Sequence, residues 1–219
     1  MDADFVIRDA KQEDLDAIAL LIARSYDQLP LWRLMVQDVE PAALHVLLLN
    51  FTRNRFRQPI YKYFVAVDAA NSTIAGCTGL SLPRRDEEGE SELAGEWPTG
   101  MNEALANRFF GPLVTQIKDY GYDPKLHFRR AGTFIAPEYQ KRGLGTRLTR
   151  HCNAIADEAG SSTYVTAISE VALYMFEKEG FAKLGSLDTN LEEFGGQELL
   201  TRSYACCRVH VVKPRDRSV

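Results

Sequence analysis

The sequence predicts an α/β fold in which a central mixed, twisted sheet of about seven strands carries helices on both faces. Three observations predict it. Two strand patterns joined by a short turn, Tyr61–Val67 and Thr73–Leu82, imply an antiparallel pair. Further along, His127–Ile135, Leu144–Ala159 and Thr163–Ile168 read strand, helix, strand, the connection a parallel pair needs. Helical patterns with one apolar stripe stand both before and after the hairpin, enough to cover two faces.

The elements follow in order. Phe5–Arg8 is a short strand. Leu15, Ile18, Ala19 and Ile22 keep the spacing of one buried helix face, with Glu13 and Asp14 at the end where the helix dipole favours acids. Pro30 opens a short turn carrying Leu31, Trp32, Leu34 and Met35. Pro41 suits the first position of a second helix through Leu44, Leu47, Leu48 and Phe51. After the hairpin, Arg84–Glu96 is acidic and reads as a solvated loop. Met101–Tyr120 is helical with a break at Gly111-Pro112. Leu144, Leu148, Cys152, Ile155 and Ala159 mark a strong amphipathic helix stopped at Gly160. Glu170–Glu179 is a short helix closed by Gly180, Phe181 begins a strand, and Tyr204–Val212 is the last one. The order is β-α-α-β-β-(insert, α)-β-α-β-α-β-β.

The 219 residues suit one domain, 1–219, with a loop-helix insert at about 84–125. At 45% hydrophobic and 26% charged, the composition excludes a wholly disordered chain and a fibre. No apolar run reaches the ~18 residues of a spanning helix, so no membrane partner is expected. The net charge of −4 gives no basic excess for nucleic acid and leans weakly toward a cationic small partner. The N-terminus lacks a secretory signal, and the cytoplasm is the expected location. Cys77, Cys152, Cys206 and Cys207 form no metal-type pair and, with four His, make no zinc site; they read as buried thiols in a reducing compartment.

The most informative stretch is Ala136-Pro137-Glu138-Tyr139-Gln140-Lys141-Arg142-Gly143-Leu144-Gly145-Thr146. A strand ends, a glycine-containing turn follows, and a helix begins. The unpaired N–H groups of that turn and helix start, with the helix dipole, suit a pyrophosphate. Gly143 and Gly145 let the backbone approach an anion, and Lys141, Arg142, Arg147 and Arg150 supply positive charge. The P-loop and dinucleotide fingerprints are both absent. An ordinary strand-to-helix turn with glycines is the plain alternative.

Context adds specificity. Gln140-Lys141-Arg142-Gly143-Leu144-Gly145 resembles motif A, [QR]-x-x-G-x-[GA], of the GCN5-related N-acetyltransferase (GNAT) superfamily. Phe134-Ile135-Ala136-Pro137 looks like that family's strand end, and Phe176–Phe181 is similar to its [YF]-x-K-x-G-F signature. The resemblance covers nearly the whole chain. The insert and the run Leu184–Asp188 look most like fungal small-molecule members.

The resemblance implies a site, with acetyl-CoA as cofactor. Backbone groups of Thr133, Phe134 and Ile135 would meet the pantetheine arm in a gap between two parallel strands. Amides of Gln140, Lys141, Arg142, Gly143, Leu144, Gly145 and Thr146 would hold the pyrophosphate. A backbone N–H near Ile135 would polarise the thioester carbonyl. Ser169 stands where many members carry an Asn that helps hold the cofactor; it is equally placed to cap the helix from Glu170. Phe176 occupies the position of the Tyr that in many members protonates the departing thiolate, and it has no proton to give. Tyr174, about 200° round the helix from it, and Tyr204 are the nearby phenols.

The base is open among Asp27, Glu96, His127 and Glu138, each of which also reads as a solvated or capping residue. Tyr26, Trp32, Trp97, Phe109 and Phe110 cluster where the acceptor should lie, as a pocket lining or as packing. The expected function is direct acetyl transfer from acetyl-CoA to a primary amine of a small molecule in a ternary complex, by a monomer or homodimer. A protein or peptide acceptor, and an acyl-CoA-binding protein with little turnover, are the alternatives.

Overall fold

The computed structural model describes residues 5–84, 96–197 and 199–210, excepting the side chain of Val114. Its seven strands form one sheet in the order β1-β2-β3-β4-β5-β7-β6. They are β1 (Phe5–Asp9), β2 (Tyr61–Asp68), β3 (Ile74–Ser81), β4 (Phe128–Ile135), β5 (Thr163–Ala167), β6 (Ala182–Asn190) and β7 (Leu200–Arg208). Every neighbouring pair is antiparallel except β4 and β5. The helices are α1 (Leu15–Tyr26), α2 (Pro30–Val36), α3 (Pro41–Phe56), α4 (Glu103–Phe110), α5 (Pro112–Lys118), α6 (Leu144–Glu158) and α7 (Glu170–Lys178).

Side-chain alternation along a strand assigns the two faces. The Phe134 ring meets Tyr26 of α1, whereas the next residue, Ile135, shares the small space over Gly76 with Leu148 of α6. On β5, Thr166 reaches the Leu113 carbonyl of α5, whereas Val165 and Ala167 pack with Leu173 and Phe176 of α7. So α1 and α5 lie on one face, α6 and α7 on the other. Most of the apolar stripes read from the sequence turns inward: Leu15, Ile18, Ala19 and Ile22 on α1, and Leu144, Leu148 and Cys152 on α6, are buried, whereas Ile155 is half-buried and Ala159, just past the helix, is exposed.

Two elements differ from the sequence expectation. The segment after Pro30 is a helix of 7 residues rather than a turn, with Pro30 at its start and Leu31, Trp32 and Met35 buried. The last strand begins four residues earlier than expected, at Leu200, because Leu200–Ser203 pair with the far end of β6 as an exposed hairpin. The acidic loop lies outside the described residues apart from Arg84 and Glu96, as do Val211 and Val212. Among the described residues, no helix is long and apolar enough to cross a membrane.

β4 carries a bulge. Thr78 pairs with Thr133 and Leu80 with Arg130, so two steps on β3 match three on β4. Gly132 takes up the extra residue at φ +102°, where a Cβ would stand 2.6 Å from the Phe134 ring.

Candidate active site

The sheet opens where β4 meets β5. The two strands pair only at Phe128 with Thr163 and Arg129 with Tyr164, and then diverge. Backbone direction beyond that point follows from the other edge of β4. Ala136 N–H donates to the Ala75 carbonyl at 2.9 Å, so by antiparallel alternation Phe134 also faces β3. Thr133 and Ile135 then turn their backbone groups into the gap. The Ile135 carbonyl is held there by the Ser25 hydroxyl at 3.2 Å and the Gln140 side-chain amide at 3.3 Å. Among the described residues the Ile135 N–H has no strand partner on that side. Phe134, by the same alternation, turns its backbone to Cys77 of β3, and its ring meets Tyr26 on the α1 face.

At the top of β4 the chain turns into α6 through two left-handed residues, Lys141 at φ 60° and Gly143 at φ 76°. Alternation of left- and right-handed residues gathers N–H groups into an anion-binding concavity. The first helical bond of α6 runs from Arg147 N–H to the Gly143 carbonyl at 3.0 Å, leaving the amides of Leu144, Gly145 and Thr146 without a partner inside the helix. A Cβ on Gly143 would meet nothing within 4 Å, so this edge of the turn is open. On Gly145 it would press Met175 Sδ at 3.0 Å, so the glycine lets α7 close on α6.

The four basic residues divide. Arg147 donates to the Phe5 carbonyl at 2.9 Å and Arg150 pairs with Glu179 at 2.9 Å; both are committed to structure. Lys141 and Arg142 are exposed beside the turn, with Arg142 over the Tyr139 ring.

Ser169 is the N-cap of α7, its Oγ accepting from Ala172 N–H at 3.2 Å. Phe176 is 4% exposed and meets Phe181 at 5.1 Å. Tyr174 does not join the site: it is 63% exposed, with the Lys178 ammonium over its ring. Tyr204 is buried, but its hydroxyl proton is given to Glu170 at 2.5 Å, and burial raises its pKa.

None of the four base candidates is positioned by the site. His127 accepts from Asp123 N–H at 3.0 Å at the opposite end of β4. Glu138 pairs with Arg24 at 2.8 Å and is held below the usual carboxylate range by a backbone hydrogen bond and that pair. Asp27 ends α1, exposed, and its carbonyl accepts from Arg33. Glu96 is exposed without a partner among the described residues.

On the α1 face the five aromatic candidates come together, with Phe134 as a sixth. Tyr26 touches Trp32, Phe109 and Phe134, Phe109 touches Phe110, and Trp97 stacks on Phe110 at 5.6 Å. Trp32 at 1% exposed is packing, whereas Phe109 reaches a concavity of about 50 Å³. Leu29 walls it from the α1–α2 turn, Leu31 from α2, Pro112 and Leu113 from α5, Ile168 from the end of β5, and Leu187 and Ser203 from the β6–β7 hairpin. Arg108 and Arg202 also line it; Arg202 forms a two-pronged pair with Asp188, and Arg108 donates to the Asp188 carbonyl at 2.7 Å. The sequence reading missed this pocket because its walls come from five separated segments.

Comparison with known proteins bears on the family and the fold. The family model described as acetyltransferase (GNAT) family matches residues 26–181. A solved histone acetyltransferase HPA2 and related acetyltransferase from Corynebacterium glutamicum is 16% identical, with 97% of this chain and 99% of that one covered and a TM-score of 0.62. A mosquito arylalkylamine N-acetyltransferase like 5b is 16% identical over 94% and 99%, TM-score 0.58. A spermidine N-acetyltransferase SpeG chimera from Vibrio cholerae and hSSAT is 15% identical over 94% and 96%, TM-score 0.56. At these identities the likeness is one of fold. No curated protein sequence matches the chain.

Proposed function

Because the chain belongs to the acetyltransferase (GNAT) family, whose members use acetyl-CoA as co-substrate, we propose that it acetylates a primary amine of a small molecule. The observation that carries the reading is the pairing of two spaces at the end of β5. One is the β4–β5 gap under the α6 turn, and the other is the small pocket beside Phe109 and Ile168.

The residues present fit the cofactor. Backbone groups of Thr133 and Ile135 face the gap, and the α6 amides and the open edge at Gly143 suit a pyrophosphate. Bound there, acetyl-CoA would supply an acyl group activated as a thioester. The Ile135 N–H would donate to the carbonyl oxygen as charge gathers on it.

The pocket selects the amine. Its walls are mostly apolar, and the two arginines that line it are both engaged with Asp188, Arg202 through the carboxylate and Arg108 through the carbonyl. A net charge of −4 spread over the surface is screened within about 8 Å, so the local lining decides. Apolar walls offer no partner to a second ammonium group and favour a monoamine with an apolar or aromatic body, which is the arylalkylamine class rather than the spermidine class of the two amine-acetylating neighbours. An alkylamine is neutral only about once in 2,500 at pH 7, roughly 4.6 kcal/mol. Among the described residues that line the pocket none is a carboxylate or an imidazole, and we assign the proton to water.

The test is thiol release from acetyl-CoA with a panel of arylalkylamines, polyamines and Lys-containing peptides. Turnover should be greatest with the arylalkylamines. Preference for the peptides overturns the small-molecule acceptor, and cofactor binding without any release makes the chain a binding protein.

A further inference from the structure

Arg130 is buried at 2% exposed on the α6–α7 face of β4. One guanidinium nitrogen, Nη2, donates to Thr78 Oγ1 at 2.6 Å and to Thr133 Oγ1 at 2.8 Å. The other two, Nε and Nη1, are buried without a hydrogen-bond partner among the described residues. A buried cation normally faces a carboxylate, because burying the charge alone is costly. Arg130 faces none among the described residues. Its titratable neighbour is the Cys152 thiol of α6, which burial keeps protonated by raising its pKa. Thr78 of β3, Thr133 of β4 and the Phe176 ring of α7, 5.7 Å from the guanidinium, complete its surroundings.

Position gives this cation a use. Arg130 follows Arg129, the last β4 residue paired with β5, so it stands at the closed end of the gap. A cofactor anchored by its pyrophosphate at the α6 turn, beyond the open end, runs its arm down the gap and brings its sulfur toward Arg130 and Phe176. Phe176 has no proton to offer there.

We propose that Arg130 stabilises the coenzyme A thiolate as it leaves, in place of a proton donor. The inference rests on the acetyl-CoA reading above. In the step the amine nitrogen bonds to the acetyl carbon and the carbon–sulfur bond breaks. Its electron pair stays on sulfur facing the guanidinium, and the proton of the amine passes to water. Arg130 donates hydrogen bonds and charge but no proton, since a guanidinium stays protonated. Coenzyme A therefore departs as the thiolate.

The test follows the thiol pKa of bound coenzyme A by thiolate ultraviolet absorbance during a pH titration. In the wild-type protein it should fall at least one unit below the value of coenzyme A alone in the same buffer, a tenfold preference for the thiolate. Arg130→Gln should return it to the free value, and Arg130→Lys should retain part of the shift. An unshifted thiol in the bound wild-type complex overturns the proposal whether or not either variant folds. Failure of coenzyme A to bind the wild-type protein overturns the acetyl-CoA reading instead. A shift that survives in folded Arg130→Gln assigns the effect to other groups and also overturns the proposal.

Discussion

Tyr26 meets Phe134 edge-on with ring centroids 5.1 Å apart, tying the end of α1 to the strand whose other edge opens into the gap. The same ring touches Trp32 and Phe109, so it sits at the centre of the aromatic group. Tyr26→Ala should cost about 3–5 kcal/mol. Tyr26→Phe, which keeps every ring contact, should stay within about 1 kcal/mol of the wild type. Denaturant unfolding of the two variants measures the contrast. Equal losses would mean that the hydroxyl, not the ring, is the anchor.

Gly143 and Gly195 form a matched pair for testing the phosphate turn. Both are left-handed, at φ 76° and 85°, and a Cβ on either meets nothing within 4 Å. A Glu at each therefore carries the same backbone penalty, about 1–2 kcal/mol. Only Gly143→Glu places a carboxylate at the α6 turn. Calorimetric titration should show coenzyme A affinity at least tenfold weaker in Gly143→Glu and unchanged in Gly195→Glu. Equal affinities would remove the turn from the cofactor site.

Ser169 separates a cap from a ligand. Its Oγ is used by Ala172 N–H, so Ser169→Ala should cost about 1 kcal/mol in thermal unfolding, and Ser169→Asp should recover most of it. Coenzyme A affinity should change less than twofold in both. A larger loss in Ser169→Ala would give the hydroxyl a second role in holding the cofactor.

Acid stability should register the Arg8–Asp14 pair. Asp14 accepts from Arg8 at 2.6 and 3.0 Å and from Lys11 N–H at 2.7 Å, and the Arg8 bond holds its carboxyl below the usual carboxylate range. A depressed pKa stabilises the fold above the unfolded value of ~3.9, and that contribution is lost as the pH falls through the lower folded value. Asp14→Asn should therefore lose about 2 kcal/mol at pH 7. The gap to the wild type should close only below pH ~3.9.

Rate should follow the neutral fraction of the acceptor. For an alkylamine, kcat/KM should rise tenfold per pH unit from pH 6 to 9, and for an arylamine, already neutral, it should be flat. A plateau near pH 7 with an alkylamine would reveal a protein base.

Much of this organisation could be read from residue patterns, and the failures have physical causes. The α6 helix was legible because its apolar positions repeat over several turns before Gly160, and α7 because Gly180 closes it. α2 was not, because 7 residues give too short a stripe for its period to show behind Pro30. The start of β7 was hidden because Leu200–Ser203 is an exposed, mixed stretch paired with a hairpin partner rather than a core strand. The motif A residues were legible by type and spacing, yet which backbone groups face the gap depends on the β3–β4 register. Arg130 was invisible for a sharper reason. A charged residue in a strand reads as a solvent position, and strict alternation would put it on the face opposite Thr133. The bulge at Gly132 adds one residue and brings the two onto the same face, where they bond.

The two residue pairs between β4 and β5 have a mechanical consequence. They divide the sheet into two leaves, β1 to β4 and β5 to β6, joined by a short seam rather than a full ladder. A pantetheine arm laid along that seam would stitch the leaves together with its own amides. Coenzyme A should therefore slow amide hydrogen exchange along β5, on strands that flank the ligand's path as well as at the turn that grips its phosphates. The protein would be stiffest while loaded, and the departure of the spent carrier would be the moment the sheet regains its play.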